Sequence, residues 1–160
     1  MTLPKSLRPR NRYVFFEVET LPDASFGEHD LRRALWFEAQ NLYGDVTSAE
    51  TRASVVEYDE EDATLGVGFV RCAHDRVEET RAALACVNEI QDHPVGVRVV
   101  GVSGTLDAGR EKYAGETPRT EKTTVEGSPA WVRDGAVDLL TDDGFMCGTH
   151  HEFGKEKDEE

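Results

Sequence analysis

Arg12-Tyr13-Val14-Phe15-Phe16-Glu17-Val18-Glu19 alternates along its whole length. Val14, Phe16 and Val18 fall on one face, and Tyr13, Phe15, Glu17 and Glu19 on the other. That period of two predicts a strand with one face buried. Working outward, Ser25 and Glu28 after the Pro22-Asp23 turn have the spacing of a capping box, so a helix is expected to about Tyr43, stopped by Gly44. Leu31, Ala34, Leu35, Ala39 and Leu42 form its core stripe. Residues 52–59 and 64–72 read as two strands joined by the acidic turn 60–63, and a second box, Asp75 to Glu78, opens a helix to about Gln91. Its stripe is Val77, Leu84 and Val87, widened by Ala83 and Ile90. His93-Pro94 ends it, and Val95 to Ser103 is a last valine-rich strand. The order βαββαβ predicts an α+β fold of the ferredoxin-like, RNA-recognition-motif-like kind: a four-stranded antiparallel sheet with both helices on one face.

Upstream of the first strand the chain changes character. Its first twelve residues hold Lys5, Arg8, Arg10 and Arg12 and no acidic residue, on a chain of net charge -14. The remainder carries 14 basic residues against 32 acidic, a net of -18. A charged terminus can be solvated and idle. Here Pro4 and Pro9 stiffen the arm, and arginine suits bidentate phosphate contact, so the arm is the expected meeting place for a polyanion. Lysine is scarce, 5 against 13 arginines, and acids are spread over the body, a profile that fits a halophile's cytosol. At about 1 M salt the Debye length is roughly 3 Å, so an acidic protein binds nucleic acid wherever a few arginines touch phosphate directly.

At 160 residues one core of ordinary size is expected. The organisation read from the sequence is a basic arm (1–12), a core domain (13–105), a C-terminal extension of short strands (106–154) and a charged, disordered tail (155–160). Extension strands are expected near 123–126, 130–134, 136–140 and 145–149. No apolar run approaches a membrane span and no signal-peptide pattern follows the start, so a soluble cytoplasmic protein is expected. Three cysteines without paired spacing argue against a disulfide framework.

Strand three, Leu65-Gly66-Val67-Gly68-Phe69-Val70-Arg71-Cys72, partly matches the RNA-binding octamer of recognition motifs at both glycines, Phe69 and Val70. It lacks the basic residue and all stacking aromatics but Phe69, and strand one adds Glu17 and Glu19 to the same face. That face is too apolar to stay wet and too acidic to stack bases, so the extension or a protein partner should cover it. On the first helix, Trp36 and Tyr43 lie about 140° and 120° from Leu31, away from the core stripe. They are either interface anchors or packed beneath the arm or a loop. Cys147, His150 and His151 lack further ligands at a defined spacing, and His29-Asp30 and His74-Asp75 read as helix-start residues. No phosphate loop, nucleophile elbow or paired carboxylates emerge, so a binding or assembly role is expected, with no catalytic or metal-binding residue.

Leu7-Arg8-Pro9-Arg10-Asn11-Arg12-Tyr13, Arg33-Ala34-Leu35-Trp36, Ala39 through Asp45, Val70-Arg71, Arg81 through Val87, His93 through Val99 and Gly101 through Thr105 together resemble the archaeal ribonuclease P protein component 2 family, over about residues 3–112. The resemblance implies a subunit of a ribonucleoprotein whose RNA removes the 5′ leader of precursor tRNA with magnesium, none of it bound by this chain. It implies ribonuclease P RNA, ribonuclease P protein component 3 and a second copy of the chain as partners. Arg8, Arg10 and Arg12, with Lys5 weaker, become RNA-contact candidates, and Trp36, Asn41, Tyr43 and Phe69 protein-contact candidates. It supplies no role beyond about residue 112. Two other readings compete: a small-molecule-binding regulatory domain without RNA, and an acylphosphatase-like enzyme. The second needs an arginine-bearing glycine loop after strand one, where Thr20-Leu21-Pro22-Asp23 stands instead.

Overall fold

The computed structural model describes residues 2–113, 121–133 and 136–149; His150, His151, the Cys147 side chain and the tail at 155–160 lie outside the described parts. Strand β1 (Asn11–Thr20) is central. It pairs antiparallel with β3 (Leu65–Ala73) and with β5 (His93–Ser103). Strand β2 (Ser54–Asp62) flanks β3, and the two-residue β4 (Glu89–Ile90) flanks β5, giving the order β2-β3-β1-β5-β4. Helices α1 (Glu28–Thr51) and α2 (Val77–Cys86) cover one face. This is the expected ferredoxin-like α+β arrangement with a fifth, short edge strand.

The buried face of β1 is the one the alternation marked. Val14, Phe16 and Val18 are inaccessible and pack with Leu31, Leu35, Ala39, Val70, Leu84 and Val95. Leu42 departs from the stripe and is 45% exposed. The reason lies two residues on: Gly44, at φ 71 and ψ -177, breaks the helical path, and the chain resumes helix as far as Thr51. Gly44 therefore kinks α1 and does not stop it. The N-terminus also starts later than the Ser25–Glu28 box implied. Gly27 is the N-cap, and its N–H donates to the Asp30 carboxylate (3.0 Å), whose other oxygen accepts from Gln91 Nε2 (2.8 Å). These hydrogen bonds, the Gly27 one foremost, lower the Asp30 pKa.

Helix α2 has Arg76 at its N-cap, not Asp75, and ends at Cys86 rather than Gln91. Gln91 and Asp92 take φ 52 and 64, the positive values of a two-residue hairpin turn, so Ile90 buries from β4 and His93-Pro94 opens β5. The turn between β2 and β3 lies at Ala63-Thr64, later than the acidic stretch.

The other sheet face is covered by the chain itself. Helix α3 (Leu106–Tyr113) lies on it: Tyr113 stacks on Phe15 (centroids 5.5 Å), and a Cβ on Gly109 would stand 2.9 Å from Phe69 Cε1. Phe15 and Phe69 meet beneath it at 4.9 Å. Strands β6 (Glu121–Val125), β7 (Ser128–Arg133), β8 (Ala136–Thr141) and β9 (Gly144–Thr149) form a second sheet in chain order. Trp131, Ala130 and Val137 are buried in it, and Phe145 packs against Gly96 of β5. Of the two covers expected for the apolar face, the extension or a protein partner, the structure shows the extension, through a helix the sequence pattern does not mark as well as through the sheet.

Candidate nucleic-acid interface

The arm is short and tethered. Pro4 begins a single 3₁₀ turn over Lys5–Leu7, closed by the Leu7 N–H donating to the Pro4 carbonyl (2.9 Å). Arg8 Nε donates to the Leu3 carbonyl (2.8 Å), and the His74 N–H donates to the Arg10 carbonyl (3.1 Å), fastening the arm to the end of β3. Lys5, Arg8 and Arg10 are exposed. Arg12 belongs to β1, is half-buried, lies opposite Cys72 and donates from Nη1 to the Asn11 carbonyl (3.1 Å).

Five arginines of the body are held by carboxylates. Arg32 bonds Glu28, Arg76 bonds Glu50 (2.7 Å) and Glu79 (3.1 Å), Arg81 bonds Glu78 (3.3 Å), Arg98 bonds Glu17 (3.1 Å) and Arg110 bonds Glu57. None of Lys5, Arg8, Arg10 and Arg12 has an ion pair with a described residue. Arg8 Nε and Arg12 Nη1 are engaged by backbone carbonyls, but no described carboxylate competes with an external anion for these cations, and in concentrated salt only direct guanidinium–phosphate contact keeps its strength.

The sheet face is not such a site. Glu17 and Glu19, the acids expected to make this face repel phosphates, are each 3% exposed, Glu17 against Arg98 and Glu19 against Asp138 of β8. Burial, then the hydrogen bond to Asp138 and its charge, push the Glu19 carboxyl up to about 9, against a smaller opposing pull from Arg98. Phe69 must be corrected: at 3% exposure, under Gly109 and against Phe15, it is no partner anchor. Trp36 is 59% exposed and Asn41 exposed, while Tyr43 is half-buried. Trp36 borders a crevice of about 160 Å³ between the two limbs of α1, lined also by Leu35, Gln40, Ser48 and Arg52. That crevice, and one of about 90 Å³ beside Tyr58, are well below the roughly 300–1,000 Å³ of small-molecule sites.

No cluster of three metal-ligating side chains occurs among the described residues, and no described helix is long and apolar enough to cross a membrane. The missed element, α3, had one signal: Thr105 caps it, its hydroxyl accepting from the Ala108 N–H (3.2 Å).

A recognition-motif-like scaffold whose sheet face is covered, and whose acid-free N-terminal arm carries four cations without an ion pair to a described residue, is suited to meet a polyanion at its edge and not on its sheet. Residues 12–114 match the Rpp14/Pop5 family, and the chain belongs to it. It is similar to proteins named ribonuclease P protein component 2. That of Haloarcula marismortui is 45% identical over 158 residues (94% of this chain, 98% of the relative), and that of Halorubrum lacusprofundi 42% over 149 (90% and 93%). That of Pyrococcus horikoshii is 31% identical over 112 residues, 70% of this chain and 89% of its own length. The haloarchaeal alignments thus reach into the second sheet. A chain in the cryo-EM structure of yeast ribonuclease MRP aligns with 64% of this chain and 79% of its own, at a TM-score of 0.49 and 14% identity.

Proposed function

We propose that this chain is a protein subunit of ribonuclease P, and that it supports a catalytic RNA in removing the 5′ leader of precursor tRNA. The chain supplies no nucleophile or general base to that reaction; magnesium held by the RNA supplies the metal-ion chemistry. Its own work is to fix RNA geometry: Arg8, Arg10 and Arg12, helped by Lys5, grip phosphates and reduce the repulsion that opposes the active RNA fold. Protein component 3 and a second copy of the chain are the proposed protein partners, with Trp36, Asn41 and Tyr43 as contacts. The small-molecule alternative loses support from the family and from the size of the crevices.

The observation that carries this reading beyond the family is the acid-free arm, whose four cations have no ion pair with a described residue, on a body where five arginines are held by carboxylates. The test is leader cleavage by a reconstituted holoenzyme in molar salt at limiting magnesium. The intact chain is expected to restore cleavage. A chain with Arg8, Arg10 and Arg12 changed to Glu is expected to fail while still binding component 3. Equal activity of the two makes the arm a solvated terminus, and cleavage by neither overturns the reading.

A further inference from the structure

We infer that Arg52 and Arg71 continue the arm's phosphate-binding surface across the end of the sheet, so that the RNA backbone lies over the β2–β3–β1 edge and not on the arm alone. This rests on the RNA-contact reading above and extends it to two residues outside the arm.

The placement follows from strand direction. Strand β3 runs antiparallel to both β1 and β2, so its last residues meet the first residues of both. Arg71 is opposite Tyr13 on one side and Ser54 on the other, and is the one exposed position of β3. Arg52 stands two residues before Ser54, exposed, at the left-handed C-cap of α1 (φ 50, ψ 32). Arg10 and Arg12 enter from the other side, with the Arg10 carbonyl tied to His74 just beyond β3. At about 4.8 Å per strand, the starts of β1 and β2 are roughly 10 Å apart with Arg71 between them.

Neither covering element buries Arg71. Helix α3 packs over the Phe15–Phe69 row and touches Ser103, opposite Tyr13, on the β5 side of this end. The second sheet touches the opposite end, through Phe145 on Gly96 and Asp138 on Glu19. Glu19 is six residues along β1 from Tyr13, or about 20 Å. Like the arm, Arg52 and Arg71 have no ion pair with a described residue. The nearby acids are partly neutralised: Arg76 engages Glu50 and Glu79, leaving Asp75 beside His74. On a body of strongly negative charge, this is an unpaired guanidinium strip with the chemistry of a phosphodiester site.

The test is the salt dependence of RNA binding by the reconstituted protein complex. The R52Q/R71Q double variant is compared with the parent, with R52K/R71K, with the arm triple-Glu variant and with Lys122→Gln, which removes a charge from the second sheet. Each phosphate contact contributes about 0.7 to 0.9 to the log–log salt slope, so R52Q/R71Q is expected to lower it by about 1.4 to 1.8. R52K/R71K should keep the parental slope, which separates lost charge from lost fold, and Lys122→Gln should leave it unchanged. A parental slope in R52Q/R71Q alongside a reduced slope in the arm variant overturns this inference and leaves the proposed function standing. Parental slopes in both overturn the arm contact as well.

Discussion

Replacing Glu19 by glutamine is expected to stabilise the protein near neutral pH and to leave it almost unchanged in mild acid. Glu19 is 3% exposed on β1, and Asp138 of β8 faces it across the junction of the two sheets. Burial first, and Asp138 second, hold its carboxyl at about 9 instead of 4.5. Between those values the folded chain keeps a proton that the unfolded chain has released, so stability falls as pH rises, by at most about 1.4 kcal/mol per pH unit. At pH 7.5 the ceiling is therefore about 4 kcal/mol, and relaxation of the junction brings the expected gain for Glu19→Gln to about 1–3 kcal/mol. The amide is neutral at every pH and still donates a hydrogen bond to the Asp138 carboxylate. Urea unfolding in molar KCl across pH 4.5–9 measures this directly. The gap between variant and parent should open with rising pH. A gap that is constant, or a variant less stable than its parent at pH 7.5, refutes the reasoning that Glu19 is buried with its proton.

Gly109→Ala should lower thermal stability by about 1–3 kcal/mol, because the new methyl meets the Phe69 ring at 2.9 Å and Ser103 Cβ at 3.3 Å, outweighing the roughly 1 kcal/mol by which alanine favours a helix; a raised Tm would show that α3 does not press on the sheet. In a Cys147→Ser background, a thiol reagent should label exposed Cys86 in the native protein and Cys72 only on unfolding, since Cys72 is 1% exposed and burial pushes its thiol up. Equal labelling rates would contradict the packing of β3 against α2.

The strand pattern was legible because β1 and β3 each present one face to a helical layer, and Val14, Phe16 and Val18 announce that face without help from the rest of the chain. Helix ends were less so. Gly44 does leave helical geometry, as its residue type implies, but whether helix resumes depends on Thr51 finding burial behind it. Gln91-Asp92 forms a tight hairpin without the glycine that usually signals one, so α2 read five residues too long, through the whole of β4. Helix α3 is eight residues with a glycine at its centre, too short and too weakly patterned to stand out. It forms because Phe15, Phe69 and Gly101 offer it an apolar floor.

The sequence by itself determined the alternation that builds the sheet, the acid-free arm and the family blocks, because each is a local pattern of residue types. Only the tertiary structure decided which charges stay available. Glu17 meets Arg98 from 81 residues away, and Glu19 meets Asp138 from a separate sheet. Arg71 stays exposed at one end of a face whose middle and far end are sealed. Ion pairing and burial are set by which strand lies opposite, and that neighbour is a property of the fold, not of any short stretch of chain.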